Sequence, residues 1–527
     1  MRRLGLAVLL CLLLAVTATA APFVEGEDLT PATKPVRGGT LYLALTASPQ
    51  SFLFYGSLDN NAYTVIGQTM TGLVELHPVT NAIRPGLAES WETSPDGKEV
   101  TFHLRDVKWS DGVPFTSDDV IFTFENFIMN KVAKGNSVDR FTILDTRDGQ
   151  KKEVKWVKIN DKTVKAVLPS PCGPFYMNLS HAYIYPKHKL ASKIDKNRPD
   201  SVNELWLTNV SPKEIVANGP YRIASYVMDQ KVVLEKNPHY WRVDRFGNQL
   251  PYFDKLEYLI VKDPEVRLAK FIAGEIDYMA VSAADFPTLK QKELAGGPFT
   301  IFKAQPTQPT PSPVHIAFNY DVANEQLKEL FRNTEFRRAM EFLLDRERII
   351  DEVYNGLAIP GAGLVLPANK AFYNPKIEKI MRPYDPAKAK AMLDKLGLKD
   401  KNGDGIREFA NGKNVEFTLT VQSTPQDYQD VALVFKEDLE KAGIKVNLQI
   451  LDSTLVGNMF GAGNFEVGIR AFGNQPDLEL RKAIWQPGTQ LYYWHYSALD
   501  RDKLAAIPAN MLDWEKRVYE LFDLGSI

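Results

Sequence analysis

The chain has 527 residues, with 63 Lys and Arg against 65 Asp and Glu and a net charge of −2. This balance gives no electrostatic argument for a nucleic-acid partner, and two cysteines cannot build a disulfide framework. Its length suffices for two or three hydrophobic cores.

Arg2 and Arg3 open the chain, Leu4–Val16 is an apolar run too short to span a bilayer, and Ala18-Thr19-Ala20 is a small-x-small cleavage site. Residues 1–20 therefore read as a signal peptide cleaved near Ala20. Cys11 follows Val8-Leu9-Leu10, which is not a lipobox, so the expected product is freely soluble and exported. Losing two arginines takes the charge to about −4 and leaves Cys172 as the one thiol, expected to be a buried structural residue. Glu25–Pro35, polar and Pro-containing, reads as a mobile tail.

Gly38–Leu45 predicts a strand, and residues near 57–75 cross into a second region. Pro95-Asp96-Gly97 is a turn. Val100, Phe102 and Leu104 then alternate with Thr101, His103 and Arg105 as a half-buried strand. Ser110-Asp111-Gly112 is a second turn. Thr116, three residues before Asp119 and ahead of Val120, Ile121, Phe124 and Phe127, predicts a capped helix. Strands follow at Tyr221–Tyr226, Val232–Leu234 and Leu256–Val261, then a helix over Asp263–Gly274.

The Pro-alternating stretch Gln305–Pro313 is an extended linker. Beyond it Phe336, Ala339, Met340 and Leu343 recur at helical spacing, and Asp385-Pro386 starts a helix ending at Leu396-Gly397. An amphipathic helix over Tyr428–Ala442 precedes a strand alternating Ile444, Val446, Leu448 and Ile450.

Catalytic motifs are scarce. The seven histidines (77, 103, 181, 188, 239, 315, 495) include no i, i+4 pair, so there is no HExxH site. No GxSxG elbow, P-loop, CxxC pair or GxGxxG turn occurs. A Ser-His-Asp triad is recognisable only by geometry, which keeps a secreted hydrolase as an alternative. Asp400, Asn402 and Asp404, with Gly403 and Gly405 between and after them, look like the first half of a Ca²⁺ loop, but the twelfth position is Asn411. A polar turn and a structural Ca²⁺ site are both compatible with that pattern; no other cofactor is indicated. Trp485, Tyr492, Tyr493, Trp494 and Tyr496 are candidates either for the wall of a ligand cleft or for core.

Residues 88–124, AESWETSPDGKEVTFHLRDVKWSDGVPFTSDDVIFTF, resemble the most recognisable segment of the family 5 bacterial extracellular solute-binding proteins. So, in family order, do Asn218-Gly219-Pro220-Tyr221 with Asn237-Pro238-x-Tyr240-Trp241, Ala273–Asp277, Arg337-Arg338-Ala339 through Asp345-Arg346, and Asp400–Glu408. The resemblance runs from about Gly38 to Ser497. It implies an α/β, periplasmic-binding-protein-like fold, two lobes around a hinge with an additional domain inserted in the first lobe. The implied division is 36–62 and 205–300 for the first lobe, 63–204 for the inserted domain and 301–490 for the second lobe. A C-terminal segment, 491–527, is shorter than the family's usual return to the first lobe. Either the lobe closes differently or the product is truncated.

The resemblance further implies a monomeric, non-enzymatic periplasmic receptor of an ABC importer. It takes a solute, a peptide before an oligosaccharide, into an interdomain cleft and hands it to membrane permeases. The family layout puts Leu58, Asp59, Asn60, Asn61, Asp229, Phe271, Arg470, Phe472, Asn474 and Asp477 at the cleft, with Trp485 and Trp494 as candidate walls. In that layout Arg470 pairs a ligand carboxylate, and Asp229 or Asp477 an amine. Phe472 or Gly473 stands where peptide-binding members carry their amine-anchoring Asp.

Overall fold

The structure, a computed structural model, describes residues 23–24, 32–56, 59–78, 80, 82–302, 314–361 and 374–471. Three four-stranded sheets organise these residues. The strands and helices used below are β1 (Thr40–Leu45), α1 (Asn60–Thr69), β2 (Ala88–Thr93), β3 (Glu99–Leu104), α2 (Ser117–Thr123), β4 (Lys155–Asn160) and β5 (Thr163–Val167). They continue with β6 (Tyr221–Val227), β7 (Lys231–Lys236), β8 (Lys255–Ile260), α3 (Pro264–Ile272), β9 (Val314–Phe318), α4 (Thr334–Phe342) and α5 (Pro386–Lys395). Last come β10 (Glu416–Gln422), α6 (Gln426–Lys441), β11 (Lys445–Leu451), α7 (Ser453–Gly461) and β12 (Val467–Ala471).

The first sheet has the order β6-β7-β8-β1, and the second β9-β12-β10-β11. Between β1 and β6 in sequence lies an antiparallel sheet of order β2-β3-β5-β4. Its alternation is the predicted one, with Val100, Phe102 and Leu104 buried. The helix behind it starts where Thr116 donates its backbone N–H to Asp119 Oδ2 at 3.0 Å. It does not stay α-helical through Phe127, as its apolar spacing suggests, but widens after Thr123 into a π turn over Phe124–Ile128.

One continuous core runs from Leu45 through Phe102, Trp109 and Trp206 to Tyr258, and so joins the first sheet to the inserted one. A second core, from Phe318 to Ile469, packs α4, α5 and α6 on the second sheet. The two share no residue among those described. Phe336, Ala339, Met340 and Leu343 all lie in the second core, as their spacing requires. Cys172 is only partly buried, packing at the rim of the first core, not inside it as its sequence context suggests. Phe23–Val24 pairs in parallel with Arg242–Val243, so chain just ahead of the expected tail is tied down.

The motif blocks have local physical reasons. Asn218 accepts the Thr71 N–H at 2.7 Å and donates to the Ile184 carbonyl at 3.2 Å, while Gly219 N donates to the Thr69 carbonyl at 2.8 Å. A Cβ at Gly219 would lie 2.7 Å from the Thr69 carbonyl carbon, so only glycine lets the two segments cross. Asp277 covers the outer edge of β1: its carboxylate accepts Tyr42 N at 2.7 Å, and its own N–H donates to the Tyr42 carbonyl at 2.9 Å.

Candidate functional site

In open α/β sheets, ligands lie outside the carboxyl ends of the parallel strands. β1 and β8 run parallel, with Leu45 opposite Ile260. The β6–β7 turn lies at that same end, because Lys231 pairs with Leu259. This edge therefore gathers the segment after β1, the turn containing Asp229, and Lys262 after β8.

Asp59 is the N-cap of α1: its carboxylate accepts Asn61 N at 2.9 Å and Gln50 N at 3.0 Å. Asn61 Oδ1 in turn accepts the Thr46 amide at 3.0 Å and its hydroxyl at 3.1 Å. Asn60, beside them, is exposed. One turn further along α1, Tyr63 lies with its ring 4.7 Å from Phe54, and burial, then the Asp59 charge, pushes its hydroxyl up to about 12. Asp59 and Asn61 thus join Thr46 and Gln50 in a network that fixes how the chain leaves β1 and enters α1.

Asp229 is held in the left-handed region at φ 57. Its Oδ1 accepts the Ser48 hydroxyl at 2.9 Å and lies 3.1 Å from Lys262 Nζ, while its own N–H donates to Ser48 Oγ at 2.9 Å. Lys262 first, then Ser48, holds this carboxyl below its usual range. The structure thus places Asp229 in the β6–β7 turn at this sheet edge, engaged with a cation of its own chain. Phe271, near the end of α3, is half-buried with its ring 5.1 Å from that of Phe299.

The second sheet repeats the arrangement. β10 is parallel to β11 and β12, and Val314 at the start of β9 pairs with Ala471 at the end of β12. Arg470, penultimate in β12, sits at this carboxyl edge opposite His315, its guanidinium 4.8 Å from the centre of the Phe460 ring. The N-terminal turn of α6 adjoins it. There the Tyr428 hydroxyl is raised by burial and by Asp427, with the Arg470 charge opposing them. Leu58, Phe472, Asn474, Asp477, Trp485 and Trp494 lie outside the described residues.

Sequence reasoning missed Ser48 and Lys262 at the first edge and Phe460 at the second. Lys262 was within reach, since it directly follows the predicted strand over Leu256–Val261. Phe460 was not, since only packing joins it to β12.

At the Asp400 loop, carboxylate oxygens of Asp400, Asp404 and Glu408 lie within 4.8 Å of one another. Glu408, which the Ca²⁺-loop pattern does not single out, is 2% exposed and accepts Lys401 N at 2.7 Å. Asp400 accepts Gly403 N at 2.7 Å and Gly405 N at 2.9 Å, Asn402 accepts Asp404 N at 2.8 Å, and Asp404 accepts Ile406 N at 2.8 Å. The donor set suits a hard cation in chemistry, and the turn is also closed by its own backbone.

No helix among the described residues is long and apolar enough to cross a membrane. The family model described as bacterial extracellular solute-binding proteins, family 5 Middle, matches residues 82–481. A probable ABC transporter-binding protein of Deinococcus radiodurans is 29% identical over 466 residues, covering 86% of this chain and 76% of that one. The oligopeptide-binding protein AppA of Bacillus subtilis is 29% identical over 488 residues, 89% of this chain and 80% of AppA. The structure of AppA with a nonapeptide superposes at a TM-score of 0.67, with 26% identity and coverage of 93% and 91%. The periplasmic binding protein MelB of Agrobacterium fabrum C58, in complex with stachyose, superposes at 0.69, with 22% identity and coverage of 93% and 74%. The α/β architecture of two lobes around a hinge, with a domain inserted in the first, is the fold of these periplasmic binding proteins. Family and neighbours are binding proteins that serve ABC transporters, and the chain belongs to the bacterial extracellular solute-binding proteins, family 5.

Proposed function

We propose that the protein is the periplasmic substrate-binding component of an ABC importer, exported with its signal peptide cleaved near Ala20 and acting as a monomer. It captures a peptide between the carboxyl edges of its first and second sheets and delivers it, unchanged, to membrane permeases. The observation that carries this reading is the match over nearly the whole chain to AppA, whose solved structure holds a nonapeptide. Division into first lobe (36–62 and 205–300), inserted domain (63–204) and second lobe (301–490) follows the same reading. Contacts to both lobes would favour a closed state only by their differential affinity for it.

An oligosaccharide is the second reading, favoured by the stachyose complex of the same fold. A thermal-shift panel of peptides and oligosaccharides separates the two, because a ligand that binds the native state raises Tm by mass action. The peptide reading expects stabilisation by peptides and none by neutral oligosaccharides, and the reverse would replace it. The Asp400 loop is read as a self-closed turn. A structural Ca²⁺ held by Asp400, Asn402, Asp404 and Glu408 is the alternative, favoured by the closeness of the three carboxylates.

A further inference from the structure

The second sheet ends on β11, and among the described residues no strand lies on its far side. β11 pairs with β10 through its odd-numbered residues: Lys445 N donates to the Val415 carbonyl at 3.0 Å, and the Leu451 carbonyl accepts Ser423 N at 2.7 Å. The backbone groups of Val446, Leu448 and Ile450 therefore point away from the sheet. Lys436 of α6 covers one of them, donating to the Val446 carbonyl at 2.9 Å. The N–H and C=O groups of Leu448 and Ile450 have no partner among the described residues. The edge of β1, by contrast, is covered by Asp277. Lysine is a common guard of an open sheet edge, and here it guards only one end.

The unguarded end is apolar. Val446 lies in the second core, against which Leu448 also packs, so Leu448 and Ile450 share the face of β11 that meets α6. Ile450 is 45% exposed, as is Leu433, which lies one turn before Lys436 on the same side of α6. Such an edge accepts an extended strand, and this one is complementary to itself. With β11 antiparallel to its own copy about Gln449, Leu448 falls opposite the partner's Ile450, and Ile450 opposite the partner's Leu448. Both are hydrogen-bonded pairs, and together they use every open N–H and C=O group of both copies, stopping where Lys436 already holds Val446. Leucine and isoleucine then meet on the α6 face. The same twofold axis runs α6 antiparallel to its copy. Asp430 and Lys436 stand one turn either side of Leu433, so acid is set toward base in both halves.

We infer that β11 is a self-association edge, through which two copies of the receptor pair antiparallel into one continuous sheet. This goes beyond the proposed function, which needs one copy. A short ladder and one leucine a side fall below the roughly 1,000 Å² that a stable interface buries. The pair is therefore reversible, and the single copy remains the form that delivers solute.

The test is analytical ultracentrifugation of the full mature protein over a concentration series, with amide hydrogen exchange at its two ends. The mass should rise from one copy toward two. The Leu448 and Ile450 amides should exchange more slowly at high concentration, while the Gln449 amide, which faces β10, stays unchanged. Ile450→Pro deletes one outward N–H per copy and none that β10 uses, and should weaken association about tenfold or more with solute binding unchanged. Should that variant fail to fold, Leu433→Asp decides, since it sets an acid toward its own copy and should weaken association as well. A mass of one copy at every concentration would overturn the inference. So would association that leaves both amides unprotected, or that neither variant weakens. None of these readouts involves solute except as a control, so the proposed function stands or falls separately.

Discussion

The two carboxyl edges use charge in opposite ways. At the first, the acids are turned inward on their own chain: Asp59 caps α1 and holds Gln50 N, and Asp229 pairs with Lys262 and Ser48. At the second, a cation lies against a buried aromatic ring, the Arg470 guanidinium 4.8 Å from the centre of Phe460. Charged residues at a strand end are thus not equivalent candidates for a ligand. An acid within reach of a lysine and a helix N-terminus is first of all part of the scaffold.

Breaking the second edge should cost most. Gly468→Val drives a branched side chain into the volume of the Phe460 ring, and overpacking of that kind costs about 3 kcal/mol. The expected outcome is a marked fall in Tm on calorimetric scanning. A Tm within a degree or two of the native one would mean that the ring is not seated there. At the first edge, Asp59→Ala removes a helix cap and should cost about 1 kcal/mol, read as a lowered urea midpoint with an unchanged slope. Asp59→Asn should keep most of that stability, since an amide oxygen can still cap.

Asp229→Asn should be milder still, because the carboxylate it removes is exposed and its partner is solvated. Its signature is in the pH dependence. The folded carboxyl titrates below its ordinary value, so the stabilisation is present above about pH 4 and is lost as the pH falls through the depressed value. The acid limb of the stability curve should therefore flatten slightly in Asp229→Asn, as denaturant midpoints across that range would reveal. Smallest of all, Ca²⁺ added to chelator-treated protein should leave Tm unmoved if the Asp400 loop is a self-closed turn. A saturable rise abolished in Asp404→Asn would instead establish a metal site.

Much of the scaffold was legible in the sequence because its signals are local. The alternation over Val100–Leu104, the Thr116/Asp119 cap, the Asp385-Pro386 start and the helical spacing of Phe336–Leu343 each act within a few residues, and each is where the sequence put it. The π turn after Thr123 was not legible, since aromatic spacing alone does not distinguish it from a continuing helix. The site was legible in part. Asp229 falls between two strands that the sequence predicts, but its engagement by Ser48 and Lys262 depends on β1 and β8 running side by side. Phe460 and Gly468 escaped notice for the same reason. A glycine inside a strand signals a close approach but does not name what approaches.

The central claim, that the chain holds a peptide in its cleft and releases it unaltered, is tested most directly by native mass spectrometry. The mature protein would be incubated with an equimolar peptide mixture, and the bound fraction then released by denaturation. One intact peptide per chain, its mass unchanged, is expected. Chains that retain no peptide, or that return cleaved or modified products accumulating with time, would contradict it.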